Sequence, residues 1–172
     1  SVALISDAST NVGMAFVTTG SGTKNENMII RSTGVIQKPK QCSFNAYHPA
    51  VNTGGSAIIF GTERHDTNGD YDHTTGIFTA PVDGVYEFHV EILMAPGTNQ
   101  YGRVLFRINN TGSTMEQYGD NLTYTPGSPS YHGLGLSIVL KMTANDNLRV
   151  WNAGQWDTYG ATYGAFSGML IG

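Results

Sequence analysis

The most constraining feature of this sequence is a ten-residue stretch, residues 85–94, in which apolar and polar side chains alternate. The apolar positions are Tyr86, Phe88, Val90, Ile92 and Met94, and the polar positions between them are Glu87, His89 and Glu91. Successive side chains of a β-strand point to opposite faces, so this period of two predicts a strand with one buried face. A helix would place Glu87 and Glu91 on the same side as core residues, because positions four apart share a helix face. The stretch therefore predicts a long, half-buried strand.

Further strand candidates follow, and no stretch has a convincing helix start. The candidates are residues 103–109, 134–142, 147–152 and 164–171. Turn residues such as Asn68-Gly69 and Pro126-Gly127 separate the apolar stretches. Charged residues make up only 13% of the chain, and Gly occurs 22 times. A chain poor in Glu and Lys and rich in uncharged polar residues favours strands and turns over exposed helices. The sequence predicts an all-β fold.

The composition changes near residue 40. Residues 1–41 contain three short apolar stretches, at 2–5, 14–17 and 28–30, each followed by turn-type residues. Such strands can hardly bury their apolar faces within one copy. Lys38-Pro39-Lys40 has the character of a linker, because Pro cannot continue a strand ladder. The sequence thus predicts a β-rich stalk or trimerisation segment over residues 1–41 and a head over 42–172. Because the first residue is Ser1 rather than Met, we expect a processed product or an excised piece of a longer protein.

Several functional classes are disfavoured. Nine Lys and Arg against thirteen Asp and Glu give a formal net charge of −4, and no basic cluster is visible in the sequence, so a nucleic-acid partner is not expected. No apolar run approaches the roughly eighteen residues that span a bilayer. The sequence has no Gly-x-Ser-x-Gly nucleophile motif, and its single Cys42 precludes a cysteine-rich zinc site. We predict a protein that is not an enzyme and does not insert into membranes.

A family resemblance comes from several separated motifs. They are FNAY at residues 44–47, NGDYD at 68–72, TGIFTAPVDGVYEF at 75–88 and FSGMLI at 166–171. In this order they resemble the globular head domain of complement C1q, a member of the C1q/tumour necrosis factor superfamily. The resemblance covers about residues 42–172. It implies a jelly-roll sandwich of two antiparallel sheets, with three copies packed about a threefold axis.

The last strand candidate departs from simple alternation. Residues 165–171 are apolar on both faces, as is much of 134–142. An antiparallel strand with water on one side should alternate. Continuous apolarity predicts that a second layer or a second chain covers the other face, and the homotrimer implied by the resemblance supplies that chain.

The N-terminal segment shows a different similarity. Residues 27–36, preceded by 15–19, are similar to short β segments of bacteriophage tail-fibre and tail-spike stalks, in which strands from three chains wrap a common axis. The Gly-X-Y repeat of a collagen stalk is absent from these residues.

Two polar, aromatic-rich stretches provide the candidate ligand-binding residues. They are Tyr118, Asp120, Asn121 and Tyr124 in the first stretch and Trp156, Asp157 and Tyr159 in the second. Aromatic faces stack on sugars, while Asn and Asp hydrogen-bond to hydroxyl groups. Trp156 falls in a loop near glycines, where burial is less expected than on a strand. The alternative is that these aromatic side chains pack against neighbouring subunits.

The resemblance also raises the question of a metal ion. Some members of that family bind calcium near the trimer apex through acidic loop residues. The nearest equivalent here is Asp120, which is the candidate calcium ligand. No other cofactor is predicted.

The predicted function is non-enzymatic attachment. The first hypothesis is a trimeric head at the C-terminal tip of a bacteriophage fibre, lying on the virion surface and binding a host glycan or protein receptor. The alternative is a secreted, extracellular animal C1q-domain ligand or pattern-recognition protein. The second alternative is a structural trimerisation or capsid-decoration cap.

Overall fold

A computed structural model describes residues 2–6, 12–20, 23–95, 100–109, 116–125, 131–160 and 162–172. The chain divides into two compact units, Ser1–Gln41 and Cys42–Gly172. Among the described residues, no helix has the length and apolarity needed to span a bilayer.

The first unit is an antiparallel meander of four strands. These are β1 (Val2–Ser6), β2 (Val12–Gly20), β3 (Thr23–Ile30) and β4 (Ile36–Gln37), adjacent in that order. Along β2 the burial alternates, with Ala15 and Val17 buried and Met14 and Phe16 partly exposed. The three predicted apolar stretches each fall on a strand. Whether this unit serves as a stalk or trimerisation segment stays a prediction.

The second unit is an antiparallel sandwich of twelve described strands. They are β5 (Ser43–Pro49), β6 (Ser56–Ala57), β7 (Phe60–Asp66), β8 (Tyr71–Asp72), β9 (Ile77–Thr79), β10 (Gly84–Ala95), β11 (Gln100–Ile108), β12 (Glu116–Thr125), β13 (His132–Met142), β14 (Asn147–Asn152), β15 (Asp157–Thr158) and β16 (Gly164–Leu170). One sheet, here called the β10 sheet, has the order β13-β10-β16-β5-β7, with β15 also paired to β10. The other, the β11 sheet, has the order β12-β11-β14-β9-β8, with β6 also paired to β14. The prediction of an all-β sandwich of two antiparallel sheets is confirmed.

The core lies between the two sheets and is dominated by aromatic rings. Phe44 stacks on Tyr71 and Phe78, with ring centroids 4.8 and 5.3 Å apart, and meets Phe166 edge-on at 4.9 Å. Gly168 lies in the same layer, and a Cβ there would be only 2.5 Å from Phe88 Cδ1 and 2.6 Å from Phe44 Cε1. Phe88 and Phe44 are the register partners of Gly168 on the two neighbouring strands of the same sheet, so their rings occupy the space that a side chain on β16 would need.

The outward face of the β10 sheet carries exposed apolar side chains at one end. Val139 on β13 and Met169 on β16 are each paired with Glu87 of β10, so they flank it on the same row. Ile171 lies one row further, where its amide donates to the carbonyl oxygen of Val85 at 2.8 Å. The exposed fractions are 57% for Val139, 47% for Met169 and 48% for Ile171. We call these three residues the apolar patch. In a single chain, the second face of β16 is therefore uncovered.

Candidate ligand-binding site

Strand β10 spans the head from one end to the other. Its twelve residues, at roughly 3.3 Å each, extend about 40 Å. At its start, Tyr86 pairs with Leu170, whose amide donates to the carbonyl oxygen of Cys42, the first residue of the unit. At its other end, Met94 pairs with both His132 and Thr158. The end of the head away from Cys42 is therefore formed by the short strand β15 and by the first residues of β13 and β16. We call this end of the head the distal end.

Three tyrosines meet at the distal end. Tyr131 precedes β13, Tyr159 follows β15 and Tyr163 precedes β16. The ring centroids of Tyr131 and Tyr159 are 4.5 Å apart, and those of Tyr159 and Tyr163 are 5.4 Å apart. The exposed fractions of the three residues are 59%, 39% and 53% in chain order. We call them the tyrosine cluster. A side-chain hydrogen bond with Tyr131 raises the pKa of Tyr159 above its usual value.

Main-chain hydrogen bonds to one residue of β10 hold the cluster in place. The amide of Tyr159 donates to the carbonyl oxygen of Leu93 at 2.9 Å, and the amide of Leu93 donates to the carbonyl oxygen of Tyr163 at 3.0 Å. Both ends of the short connection between β15 and β16 are therefore fixed to the same position of the long strand.

A groove of about 570 Å³ opens beside the cluster, on the outward face of the β10 sheet. Gly133, Gly135 and Gly164 leave space in its floor, and Tyr163 forms part of its wall. Arg64 and Glu91 bring opposite charges to its lining. The groove thus offers one aromatic side chain, a hydrogen-bond acceptor and a hydrogen-bond donor on a concave surface, as polar ligands such as sugars require.

The expectation that Trp156 is exposed is wrong. The side chain is fully buried. It stacks on the ring of His132, with centroids 5.5 Å apart, and lies directly over Gly102 of β11. Asn152 donates to its carbonyl oxygen at 2.7 Å, which folds the loop inward. Trp156 supports the distal end from within and cannot contact a ligand directly.

The other predicted binding residues are divided between two regions. Tyr124, Asp157 and Tyr159 are exposed and lie toward the distal end. Asp157 also lines a second pocket of about 680 Å³ with Thr53, Gln100 and Gln155.

The remaining three residues lie further along β12, away from the tyrosine cluster. Tyr118 pairs with Phe106 and packs against the core. Asn121 donates from Nδ2 to the carbonyl oxygen of Gly135 at 2.8 Å, joining the edges of the two sheets. The carboxylate of Asp120 accepts hydrogen bonds from Nε of Arg103 at 2.9 Å and from its Nη2 at 2.7 Å.

The candidate calcium ligand is therefore already paired. Both carboxylate oxygens of Asp120 accept from the guanidinium of Arg103. Within the described ranges, no group of three or more His, Cys, Asp and Glu side chains could hold a metal ion. Calcium prefers six to eight oxygen ligands, and Asp120 alone does not provide such a set.

The chain matches a known domain family and is similar in fold to several solved structures. The C1q domain family model matches residues 43–171. The chain is similar to the globular domain of zebrafish complement 1qA protein, at 18% identity and a TM-score of 0.54, covering 77% of this chain and 98% of that one. It is also similar to Eiger TNF from S. frugiperda, at 11% identity and a TM-score of 0.61, covering 77% and 93%. For murine APRIL the identity is 12% and the TM-score 0.58, covering 76% and 100%.

A curated relative is also found in cattle. The chain is 27% identical over 137 residues to protein HP-25 homolog 2 of Bos taurus. The match covers 80% of this chain but only 58% of the relative's length. C1q and tumour necrosis factor domains form homotrimers and are generally non-catalytic ligand-binding modules. On the strength of the family match, this chain belongs to the C1q domain family.

Proposed function

We propose that this chain is the homotrimeric, extracellular recognition head of a secreted animal-type C1q protein, and that the tyrosine cluster binds a glycan on its target. The observation that carries this proposal is three partly exposed, mutually packed tyrosines at the end of the head away from Cys42. Exposed aromatic side chains that pack together and border a groove are a common feature of binding surfaces.

The choice between the animal and viral hypotheses depends on the relatives. Protein HP-25 homolog 2, described above, comes from cattle. It favours the secreted-ligand hypothesis over a bacteriophage fibre tip. The purely structural cap is distinguished from both by the binding experiment below.

Trimer formation would use the other end of the β10 sheet. The apolar patch leaves three large apolar side chains about half exposed on one face, and contact with a second copy would remove that surface from water. The patch lies near the Cys42 end of β10 and the groove near its distal end. Assembly through the patch would thus leave the tyrosine cluster accessible, and three weak sites on one head would gain avidity.

The test is a glycan array probed with the full chain, followed by the double variant Tyr159→Ala, Tyr163→Ala. We expect binding to the selected glycan to weaken at least about tenfold, because two stacking surfaces are lost in each of three sites. Thermal unfolding and native mass check that the variant remains folded and assembled.

A matched control is Tyr124→Ala, which removes an exposed tyrosine on β12 outside the cluster. We expect this variant to bind normally. If Tyr124→Ala loses binding while the double variant keeps it, the site lies on β12 and the proposal is wrong. Failure of the wild-type chain to bind any glycan contradicts the proposed ligand class.

A further inference from the structure

One side of the groove beside the tyrosine cluster carries a guanidinium group that is held in position. Arg64 lies on β7, the edge strand of the β10 sheet, and its side chain lines the groove. Its Cζ is 4.4 Å from the centroid of the Tyr47 ring, and its Nη1 donates to Oδ1 of Asn45 at 3.2 Å. Both neighbours belong to the adjacent strand β5. The stacked ring and the hydrogen bond at one edge together orient the guanidinium.

The other edge of this guanidinium is accessible to a ligand. Within the part of the chain that the structure describes, Arg64 makes no ion pair, and its side chain donates only to Asn45. The neighbouring Glu63 contacts Nδ1 of His73 instead, at 2.9 Å. Because Arg64 is exposed, its Nε and Nη2 donate to water in the free protein and can exchange that water for a ligand acceptor.

The Nε–Nη2 edge of an arginine matches the shape of a carboxylate. In Arg103 of this chain the same two nitrogens donate to the two oxygens of Asp120, at 2.9 and 2.7 Å. Such planar, forked contacts are stronger than hydrogen bonds between neutral groups. Residues 42–172 contain five Lys and Arg against eleven Asp and Glu. An anionic ligand of this acidic head is therefore attracted by a local contact and not by the overall charge.

The opposite side of the groove carries a hydrogen-bond acceptor. Glu91 of β10 and Tyr47 of β5 both pair with Ala165 of β16, so the three residues lie on one row. Neighbouring strands are about 4.8 Å apart, which separates the two sides of the groove by about 10 Å across the small side chain of Ala165. Oε1 of Glu91 is 3.3 Å from Nε2 of His89, and the Glu91 side chain is 71% exposed. Its carboxylate keeps acceptor positions for the hydroxyl groups of a sugar.

We propose that the groove binds an acidic sugar, with the sugar carboxylate on the Nε–Nη2 edge of Arg64 and its hydroxyl groups on Glu91. Tyr163, which forms part of the groove wall, provides an aromatic face against which a sugar ring packs. Uronic acids and sialic acids both combine a planar carboxylate with hydroxyl groups. The inference rests on the proposed function, because it names the class of glycan that is bound beside the tyrosine cluster.

The experiment compares glycans that differ only in the charged group. A glycan ending in a uronic acid and one ending in a sialic acid are each titrated into the full chain, once as the carboxylate and once as the neutral primary amide. Calorimetry measures the affinities. We expect at least one carboxylate to bind about tenfold or more tightly than its amide, the effect of one charge-assisted contact. The acid with the larger carboxylate-to-amide ratio identifies the class of sugar.

Variants connect this preference to Arg64. Arg64→Gln should lower the carboxylate-to-amide ratio to about one, because the contact that distinguishes the two forms is lost. Arg64→Lys should recover only part of the ratio, because it keeps the charge and loses the fork. Lys38→Gln makes the same charge change at an exposed position in the first unit and should keep the wild-type ratio. Thermal unfolding checks that each variant is folded.

The outcomes separate this inference from the proposed function. Equal affinity of the wild type for the carboxylate and amide forms, or an unchanged ratio in Arg64→Gln, overturns the acidic-sugar assignment and leaves glycan binding by the tyrosine cluster standing. The same holds if the glycan array selects neutral glycans alone. If the wild-type chain binds no glycan in either form, the proposed function and this inference both fail.

Discussion

At the scale of single residues, Asp72 shows how the loop after β8 is stabilised. Its Oδ1 accepts from the amide and hydroxyl of Thr74 at 2.8 and 2.6 Å, and its Oδ2 accepts from the hydroxyl of Thr75 at 2.7 Å. The hydrogen bonds from Thr74, followed by that from Thr75, lower the pKa of Asp72 to about 2. Gly76 follows with a φ of 72°, a conformation that residues with a Cβ rarely adopt.

This lowered pKa predicts a pH-dependent contribution to stability. A carboxyl group with a lower pKa in the folded chain stabilises it above the unfolded pKa of about 3.9, and this contribution is lost as the pH falls through the folded value. Asp72→Asn should therefore be less stable than the wild type at pH 7, and the difference should shrink between pH 4 and 2. Urea unfolding at each pH measures this difference in the free energy of unfolding. Asp157→Asn, the same change at an exposed carboxylate on β15 outside the apolar patch, is the control, and a constant Asp72→Asn difference down to pH 2 would contradict the assignment.

At the scale of elements, strand β11 and the loop before β15 must fit each other closely. A Cβ at Gly102 would lie 2.7 Å from Cζ3 of Trp156, whose ring is fully buried. Gly102→Ala should therefore destabilise the head by about 1–3 kcal/mol, the usual effect of overpacking. Chemical denaturation of the full chain gives this value.

The control for this prediction is Gly133→Ala. Gly133 also lies in a strand, but a Cβ there meets nothing within 4 Å. It should leave stability unchanged or slightly raised, because Ala reduces the freedom of the unfolded chain. Equal destabilisation by both changes would refute the argument from packing.

The sequence predicts the strands better than the site, for a physical reason. The strand predicted at residues 85–94 is observed as Gly84–Ala95, and that at 147–152 as Asn147–Asn152, because alternation is a local property of the chain. The burial of Trp156 depends on which strand passes beneath its loop, which no local pattern records. Gly102, a glycine within strand β11, is the signal that could have indicated a close approach.

The tyrosine cluster was only partly predictable for the same reason. Tyr159 was a candidate, whereas Tyr131 and Tyr163 were missed. Tyr131 and Tyr159 are far apart in the sequence, and they meet because the segments that contain them both pair with the end of β10.

At the scale of the whole molecule, the apolar patch predicts how copies associate. Met169→Asp places a charge within the patch, and burying an unpaired charge at a contact is strongly unfavourable. We expect the wild-type chain to have a native mass near three times 18.5 kDa and the variant to shift toward a single copy. Light scattering on a sizing column measures both.

The matched change for the assembly prediction is Val82→Asp, at an exposed loop position outside the patch. It should remain trimeric. A wild-type monomer, or a Met169→Asp protein with an unchanged mass, would show that the patch is not the contact between copies.

The two hydrogen bonds of Leu93 have a consequence for the cost of binding. Since its amide and carbonyl group fix Tyr163 and Tyr159 to the same point of β10, the main chain at both tyrosines is already held in place before any ligand arrives. A ligand that contacts the tyrosine cluster then sacrifices little conformational entropy of the protein, and more of the contact energy appears as affinity. The amides of Leu93 and Tyr159 should accordingly exchange slowly with deuterium, even though they lie next to an exposed surface.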